Sequence, residues 1–162
     1  MKSLLILRHA DATAPASGVD DFQRSLSRVG QRQARDVGRR LRESGIAPDA
    51  IVCSAARRAR QTAELVAQAA QWVSEIVLYK EFYNATCDDL VAHMQSRADD
   101  INQLCIIAHA PGVAELVSYL TTRTGDFTMV YAAGTLAEVV LDVDQWSETS
   151  PGCGTLRSLT AA

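Results

Sequence analysis

Short apolar runs alternate along this chain with longer segments of helical periodicity, and this alternation limits the folds that the chain can adopt. The runs cover residues 3–7, 50–53, 76–79, 103–108 and 135–141, and the helical patterns cover residues 27–44, 56–70, 87–97 and 111–120. Ser27 and Pro111 are typical of helix starts, and Gly45 is typical of a helix end. The alternation predicts the α/β class: a three-layer α/β/α fold with a mostly parallel sheet. We expect an edge strand near residues 155–159 and the longest loops at residues 12–23 and 121–134.

Size and composition predict one globular domain over residues 1–162. A chain of this length buries a core without disulfides or metals. The formal net charge of −3 gives no reason to expect a nucleic-acid partner, and no apolar run approaches the roughly 20 residues of a membrane span. The four cysteines form no C-x-x-C pair, so we expect free thiols and a cytoplasmic location. Lys2 precedes only a short apolar stretch, so no signal peptide is expected.

Charged or reactive side chains follow four of the predicted strands. Arg8 and His9 follow the first strand, Ser54 the second, Glu81 the third and His109 the fourth. The helix after Ser54 begins with a basic cluster, which consists of Arg57, Arg58 and Arg60. Because the carboxyl ends of parallel strands meet at one sheet edge, we expect these side chains to share one pocket with two helix N-termini. Arginine forks bind anions and histidine supplies a nucleophile or a proton carrier, so the pattern indicates phosphate chemistry.

Each of these features has a simpler explanation when it is taken alone. An Arg-His pair is often a solvated loop start, an arginine cluster is often an exposed helix face, and His109 alone fits a core histidine. Their recurrence at four strand ends favours a site. Rival phosphate chemistries lack their motifs, because the sixth position after Cys53 is Ala59 rather than arginine, and no P-loop pattern occurs. The acidic pairs at 20–21, 88–89 and 99–100 lack metal-ligand spacing and are interpreted as surface loops and helix starts.

Five motifs, in this order along the chain, resemble the histidine phosphatase superfamily, which also contains the phosphoglycerate mutases. They are LLILRHADA at 4–12, RSLSRVGQRQA at 24–34, CSAARRARQTAE at 53–64, EFYNA at 81–85 and IIAHAPGVAEL at 106–116. Within the superfamily, the chain is similar to the small SixA-like phosphohistidine phosphatases. The resemblance covers roughly residues 3–142 and implies a phosphoglycerate mutase-like fold without a cap domain.

The resemblance also implies roles for individual residues. His9 corresponds to the nucleophile that becomes phosphorylated, and Glu81 corresponds to the proton donor. The implied phosphate-binding residues are Arg8, Arg58, His109 and Arg24. Arg58 is preferred within its cluster because it lies four residues before Thr62, as in the family's S-x-x-x-R-A-x-Q-T run.

The implied reaction passes through a phosphohistidine on His9 and uses no metal or cofactor. Since the attacking nitrogen of His9 must be neutral, we expect its other ring nitrogen to donate to a backbone carbonyl, with nearby arginines disfavouring the imidazolium. His109, if protonated, would share the negative charge of the phosphoryl group. Glu81 would protonate the leaving group and then activate water.

The predicted substrate is phosphohistidine on a protein, for example on a histidine phosphotransfer domain in signal transduction. Only about twenty residues separate Glu81 from the fourth strand, and most of them form one helix, so we expect a pocket open to a protein surface. Two alternatives stay open. One is a phosphomonoesterase that acts on small phosphorylated metabolites, and the other is a phosphoprotein-binding module without catalysis. None of these three hypotheses requires a nucleic-acid or membrane partner.

Overall fold

The computed structural model describes residues 1–124 and 129–162. These residues form six strands: β1 (Lys2–Arg8), β2 (Ala50–Ser54), β3 (Ile76–Tyr79), β4 (Gln103–Ala108), β5 (Leu136–Leu141) and β6 (Gly154–Thr160). They also form four α-helices: α1 (Arg28–Glu43), α2 (Arg57–Ala70), α3 (Cys87–Gln95) and α4 (Gly112–Thr121). The predicted helices and strands are therefore present, with bounds that differ by one or two residues.

The strands form one mixed sheet in the order β3-β2-β4-β1-β5-β6. The first four strands in chain order are parallel to one another, β5 runs antiparallel to β1, and β6 runs antiparallel to β5 and therefore in the direction of the first four. This confirms the mostly parallel sheet and the edge strand near the C-terminus. The sequence pattern did not reveal the direction of β5, because an apolar strand reads alike in either direction.

The core lies on both faces of the sheet, which makes the fold a three-layer α/β/α sandwich. Leu4 and Ile6 of β1 pack in one apolar cluster with residues of α3 and α4. Leu5 and Leu7 pack in the other cluster with residues of α1 and α2. A strand segment buried on both faces must be apolar at every position. This explains the unbroken apolar run of residues 4–7, which stops before Arg8.

The parallel register brings the predicted site residues to one edge. Arg8 of β1 lies opposite Ala108 of β4, and the His9 amide donates to the Ala108 carbonyl over 3.1 Å. The next residues, His9 and His109, therefore leave neighbouring strands at the same level. Ser54 ends β2, which pairs with the other side of β4. The central position of β4 thus explains how histidines 100 residues apart in the sequence meet.

The loops that surround this edge differ from the sequence expectation in detail. The predicted loop at 12–23 contains a 3-10 turn, Asp21–Gln23, and Glu81 lies in a second 3-10 turn, Lys80–Asn84. Pro111 is the N-cap of α4 rather than its first helical residue. The predicted loop at 121–134 includes residues 125–128, which lie outside the described residues. Within the described ranges, none of the helices has the length and apolar character needed to cross a bilayer.

Candidate active site

His9 is fixed by its backbone and by one ring nitrogen. It is 8% exposed, and its carbonyl accepts from the Gly134 amide over 3.0 Å. Its Nδ1 lies 2.8 Å from the Ala10 carbonyl oxygen. Because a carbonyl oxygen only accepts, Nδ1 carries the hydrogen and Nε2 is unprotonated, with a lone pair that can accept a hydrogen bond. This agrees with the expected tautomer and leaves Nε2 as a nucleophilic nitrogen.

His109 lies beside His9 and contacts a serine that ends the neighbouring strand. The two imidazole centroids are 5.0 Å apart, with the rings tilted by 55°. His109 Nε2 lies 2.8 Å from Ser54 Oγ, and Ser54 is fully buried. The sequence placed Ser54 among the strand-end residues but gave it no role. Its hydroxyl orients the His109 ring.

Both site histidines are neutral at pH 7. Burial is the main cause that lowers the pKa of His9 to about 4, and the charges of Arg58, Arg8 and Arg24 lower it further. Burial also lowers the pKa of His109 to about 3, with smaller contributions from His9 and Arg58. A neutral His9 matches the expectation. The protonated form of His109, which the sequence interpretation allowed, is disfavoured by the burial that lowers its pKa.

Arg58 is the member of the basic cluster that reaches His9. Its side chain is buried, and Nε donates to His9 Nε2 over 3.4 Å. Arg57 and Arg60 are exposed, and Arg60 pairs with Glu64 instead. The first turn of α2 therefore turns one of three arginines inwards, as the motif spacing predicts.

The other two predicted arginines flank this centre. Arg8 donates from Nη1 to the Tyr131 carbonyl over 2.8 Å, and its Nε is buried without a hydrogen-bond partner among the described residues. Arg24 donates from Nη1 to the Thr13 carbonyl over 2.6 Å. Its charge lowers the pKa of His9, so it belongs to the electrostatic environment of the site. Three guanidinium groups thus act on one neutral imidazole.

Asp21 is a site residue that the sequence interpretation missed. It does lie at the start of a turn, as expected, but its carboxylate also binds two arginines. Oδ1 accepts from Arg24 Nε over 2.8 Å, and Oδ2 accepts from Arg58 Nη2 over 3.2 Å and from the Tyr83 hydroxyl. Hydrogen bonds from Tyr83 and Arg24 hold the pKa of Asp21 well below its usual range. The signal in the sequence was an acidic residue three positions before Arg24.

Glu81 is the one predicted site residue that the structure does not bring into contact with this cluster. Its side chain is exposed and lines a surface cavity with Tyr79, Phe82 and His93. Its negative charge opposes the lowering of the His93 pKa by burial. It is not among the groups that shift the pKa of His9 or of His109. In the same 3-10 turn, Tyr83 faces the site instead, with its ring centroid 5.7 Å from that of His109.

Two helices begin at the site without a side-chain N-cap. The N-caps of α2 and α4 are Ala56 and Pro111, and neither makes a capping hydrogen bond. By contrast, Ser27 caps α1 and Thr86 caps α3. Uncapped amide groups and the positive end of the helix dipole favour an anion at this edge.

The described residues contain no group of three or more histidine, cysteine or acidic side chains arranged to hold a metal ion.

The model of the histidine phosphatase superfamily (branch 1) matches residues 4–122 of this chain. The chain belongs to the histidine phosphatase superfamily. Membership in this superfamily, together with its SixA-like fold, supports phosphatase activity. The matched range includes every residue of the histidine and arginine cluster described above.

Relatives and solved structures agree with this membership. The uncharacterized protein Rv1276c of Mycobacterium tuberculosis H37Rv is 29% identical over 159 residues, which are 93% of this chain and 96% of the relative. A SixA protein from Nakamurella multipartitia, assigned as a phosphohistidine phosphatase, is 25% identical with a TM-score of 0.85, over 99% of this chain and 95% of that chain. The protein histidine phosphatase SixA complexed with tungstate is 24% identical with a TM-score of 0.83, and the match covers 98% of this chain and 96% of that chain. This histidine phosphatase is therefore SixA-like in fold.

Proposed function

We propose that this histidine phosphatase hydrolyses phosphohistidine in proteins through a phosphorylated intermediate on His9. The observation that carries the proposal is the position of His9, whose unprotonated Nε2 accepts a hydrogen bond from Arg58 Nε over 3.4 Å and whose ring centroid lies 5.0 Å from that of His109. A binding module needs no desolvated nucleophile, so this arrangement favours catalysis. The fold likeness to a SixA that binds tungstate, a tetrahedral oxyanion like phosphate, agrees with an oxyanion site.

In the first step of the proposed reaction, His9 Nε2 attacks phosphorus. A new Nε2–P bond forms as the bond between phosphorus and the substrate imidazole breaks, and the departing imidazole takes up a proton from solvent water. Arg8, Arg58 and Arg24 stabilise the charge that spreads over the phosphoryl oxygens. Neutral His109 offers a ring N–H to the same oxygens, and the charge of a bound phosphoryl group would raise the pKa of His109. Water then attacks phosphorus, the Nε2–P bond breaks and inorganic phosphate leaves.

Two carboxylates are candidates for the proton transfers. The family resemblance assigns the proton donor to Glu81, whereas contacts with Arg58 and Arg24 support Asp21. The low pKa of Asp21 keeps it ionised, which rules it out as a proton donor and makes it a weak base. Its role in the proposed reaction is therefore to orient the attacking water through a hydrogen bond, while the proton of that water passes to a phosphoryl oxygen as the Nε2–P bond breaks. An imidazole leaving group departs more readily than an alkoxide, so the first step places little demand on an acid.

The surroundings of the site support a protein substrate. Between the 3-10 turn Lys80–Asn84 and β4 the chain forms a single α-helix, α3, which packs against α4. No cap domain is formed by the described residues, so a phosphorylated side chain on a protein surface has access to the edge of the sheet. All four cysteines are free, with Cys53 and Cys105 buried, which supports action in the reducing cytoplasm.

The test is to trap the phosphoenzyme and to locate its phosphate. The purified protein is mixed briefly with a phosphorylated histidine phosphotransfer domain, quenched in alkali and mapped by mass spectrometry, with His9→Ala and His93→Gln as variants. We expect an acid-labile phosphate on His9, loss of turnover by about a thousandfold or more in His9→Ala, and retained turnover in His93→Gln. Because the chain has three histidines, the phosphate has to be located among only three possible positions.

A panel of sugar phosphates in the same assay decides the substrate class. Faster turnover of a phosphorylated metabolite than of the phosphoprotein would overturn the protein-substrate proposal. Turnover that survives in His9→Ala would overturn the nucleophile assignment.

A further inference from the structure

The exposed face of α1 carries a single row of arginines that the proposed chemistry does not use. The row, called here the arginine stripe, consists of Arg28, Arg32, Arg35, Arg39 and Arg42. Their spacing of four, three, four and three residues keeps them within about 80° around the helix axis and spreads them over about 21 Å along it. All five side chains are exposed, and the buried residues of α1 face the opposite side.

The stripe is a local positive surface on an acidic protein. The helix has six arginines and two carboxylates, which give it a formal charge of +4. Because the whole chain has a formal charge of −3, the residues outside this helix together carry −7. Within the stripe, Arg39 pairs with Asp36. Among the described residues, no carboxylate lies within ion-pair distance of the other four arginines.

This arrangement is unfavourable for the helix by itself. Like charges three and four residues apart repel one another and destabilise a helix. Arg28 also lies in the first turn, where the helix dipole disfavours a cation, and that turn contains no acidic residue. Neither effect contributes to folding, which points to an anionic partner that offsets them.

The stripe begins at the rim of the active site. Arg28 follows the N-cap Ser27, whose hydroxyl donates to the Asp11 carboxylate two residues beyond His9. The first turn of α1 packs on this segment so closely that a Cβ at Gly30 would lie 1.9 Å from the Asp11 carbonyl oxygen. A molecule that extends from the phosphoryl site along α1 therefore meets the arginines one after another.

We propose that the arginine stripe docks an acidic face of the phosphorylated protein substrate. This inference rests on the proposed function, because phosphohistidine arrives as part of a protein. A helix that carries carboxylates at intervals of three and four residues matches the stripe in spacing and in charge. A nucleic acid is less suited, since its charge continues beyond the 21 Å stripe and meets the negative remainder of the surface.

The test compares two double variants with the same change in charge. Arg32→Gln with Arg35→Gln removes two stripe residues, and Arg123→Gln with Arg157→Gln removes two exposed arginines elsewhere. Each enzyme is assayed with an acidic phosphorylated histidine phosphotransfer domain and with the free amino acid phosphohistidine. Thermal unfolding of both variants checks that they are folded.

We expect the stripe variant to lose about five- to tenfold in kcat/KM for the acidic phosphoprotein, mainly through KM, and to keep its turnover of free phosphohistidine within about twofold. The loss should shrink as salt is raised to about 0.5 M, while the control variant stays near wild type. Equal effects of the two double variants, or an equal loss with both substrates, would overturn the docking proposal.

Two further outcomes are kept apart by the design. If the stripe variant loses binding of a fluorescent single-stranded oligonucleotide but keeps phosphoprotein turnover, the stripe binds nucleic acid and the proposal is wrong. If the wild-type enzyme hydrolyses sugar phosphates but neither phosphohistidine substrate, the proposed function fails, and the docking inference fails with it. The second result is read from the wild type alone, so it cannot be confused with a failure of the stripe.

Discussion

At the scale of single residues, the carboxylate of Asp21 decides how the arginines are presented to a phosphoryl group. It binds Arg58, which also contacts His9, and it binds Arg24 on its other oxygen. A phosphoryl oxygen and Asp21 would compete for the same N–H groups of Arg58. The residue therefore has two opposing effects, since it orders the guanidinium groups and also repels the substrate anion.

Exchange of Asp21 for asparagine separates these effects. We expect Asp21→Asn to strengthen inhibition by inorganic phosphate several-fold, because a negative charge is removed from the site. We also expect kcat for phosphohistidine to fall about tenfold or more, because the attacking water loses the carboxylate that orients it. Steady-state kinetics and rapid-quench measurement of the phosphoenzyme check both points, and the phosphoenzyme should accumulate in this variant.

Glu81→Gln is the matched control for that substitution. Because Glu81 lies against His93 and contributes nothing to the pKa shift of His9, we expect its turnover of phosphohistidine to stay within about twofold of wild type. The reverse pattern, with a large loss in Glu81→Gln and none in Asp21→Asn, would restore Glu81 as the group that acts in the reaction.

These residues mark the limit of what the sequence predicted about the site. His9, His109, Arg8 and Arg58 could be found because each follows a strand or begins a helix at the sheet edge. Asp21 had only its spacing from Arg24 as a local signal, and its loop follows a path that depends on tertiary contacts with Arg58 and Tyr83. Glu81 was predicted from its strand-end position, but a 3-10 turn directs its side chain elsewhere.

At the scale of elements, the contact between α1 and the segment after β1 connects the arginine stripe to the backbone beside His9. Gly30 in the first turn of α1 lies against the Asp11 backbone, where no side chain fits. Asp11 in turn receives a hydrogen bond from Ser27 and donates its amide to Gln33 over 2.9 Å. A shift of α1 would therefore move the backbone two residues from His9.

Gly30→Ala tests this connection, with Gly38→Ala as its control on the same helix. A Cβ at Gly38 would lie 2.5 Å from the Val66 carbonyl oxygen, where α1 crosses α2 away from the site. We expect both variants to lower the free energy of unfolding by about 1–3 kcal/mol, because each overpacks a helix contact. Below their unfolding temperatures, Gly30→Ala should lose at least about tenfold in kcat/KM for free phosphohistidine, whereas Gly38→Ala should stay near wild type. Equal kinetics in the two variants would contradict the connection.

The same elements show why helix bounds were predictable and strand direction was not. Ser27 caps α1 through a hydrogen bond from the Gly30 amide, which is a local signal. The antiparallel direction of β5 depends on its pairing with β1, where Leu4 lies opposite Val139. That pairing joins residues 135 positions apart, and local periodicity does not encode it.

At the scale of the whole molecule, folding holds all three histidines in their neutral form. The pKa of His9 is about 4, that of His93 about 4 and that of His109 about 3, with burial as the first cause in each case. In the unfolded chain these rings titrate near 6.5. Between about pH 6.5 and 4, the unfolded state therefore binds more protons than the folded state, so stability is present above pH 6.5 and is lost as the pH falls.

His9 makes this loss measurable because it is only 8% exposed, so solvent screens its shift little. Below pH 6.5 its contribution falls by about 1.4 kcal/mol per pH unit, or up to about 2 kcal/mol between pH 7 and 5. Urea unfolding of the wild type and of His9→Gln at pH 7, 6 and 5 checks this: the free energy of unfolding should decline more steeply in the wild type, because glutamine does not titrate. Parallel declines would mean that His9 takes up its proton equally well in the folded and the unfolded state. Burial would then not keep His9 neutral, contrary to the prediction. A steeper wild-type decline would instead tie the acid sensitivity of the fold to the desolvation that keeps Nε2 of His9 unprotonated, as the proposed attack on phosphorus requires.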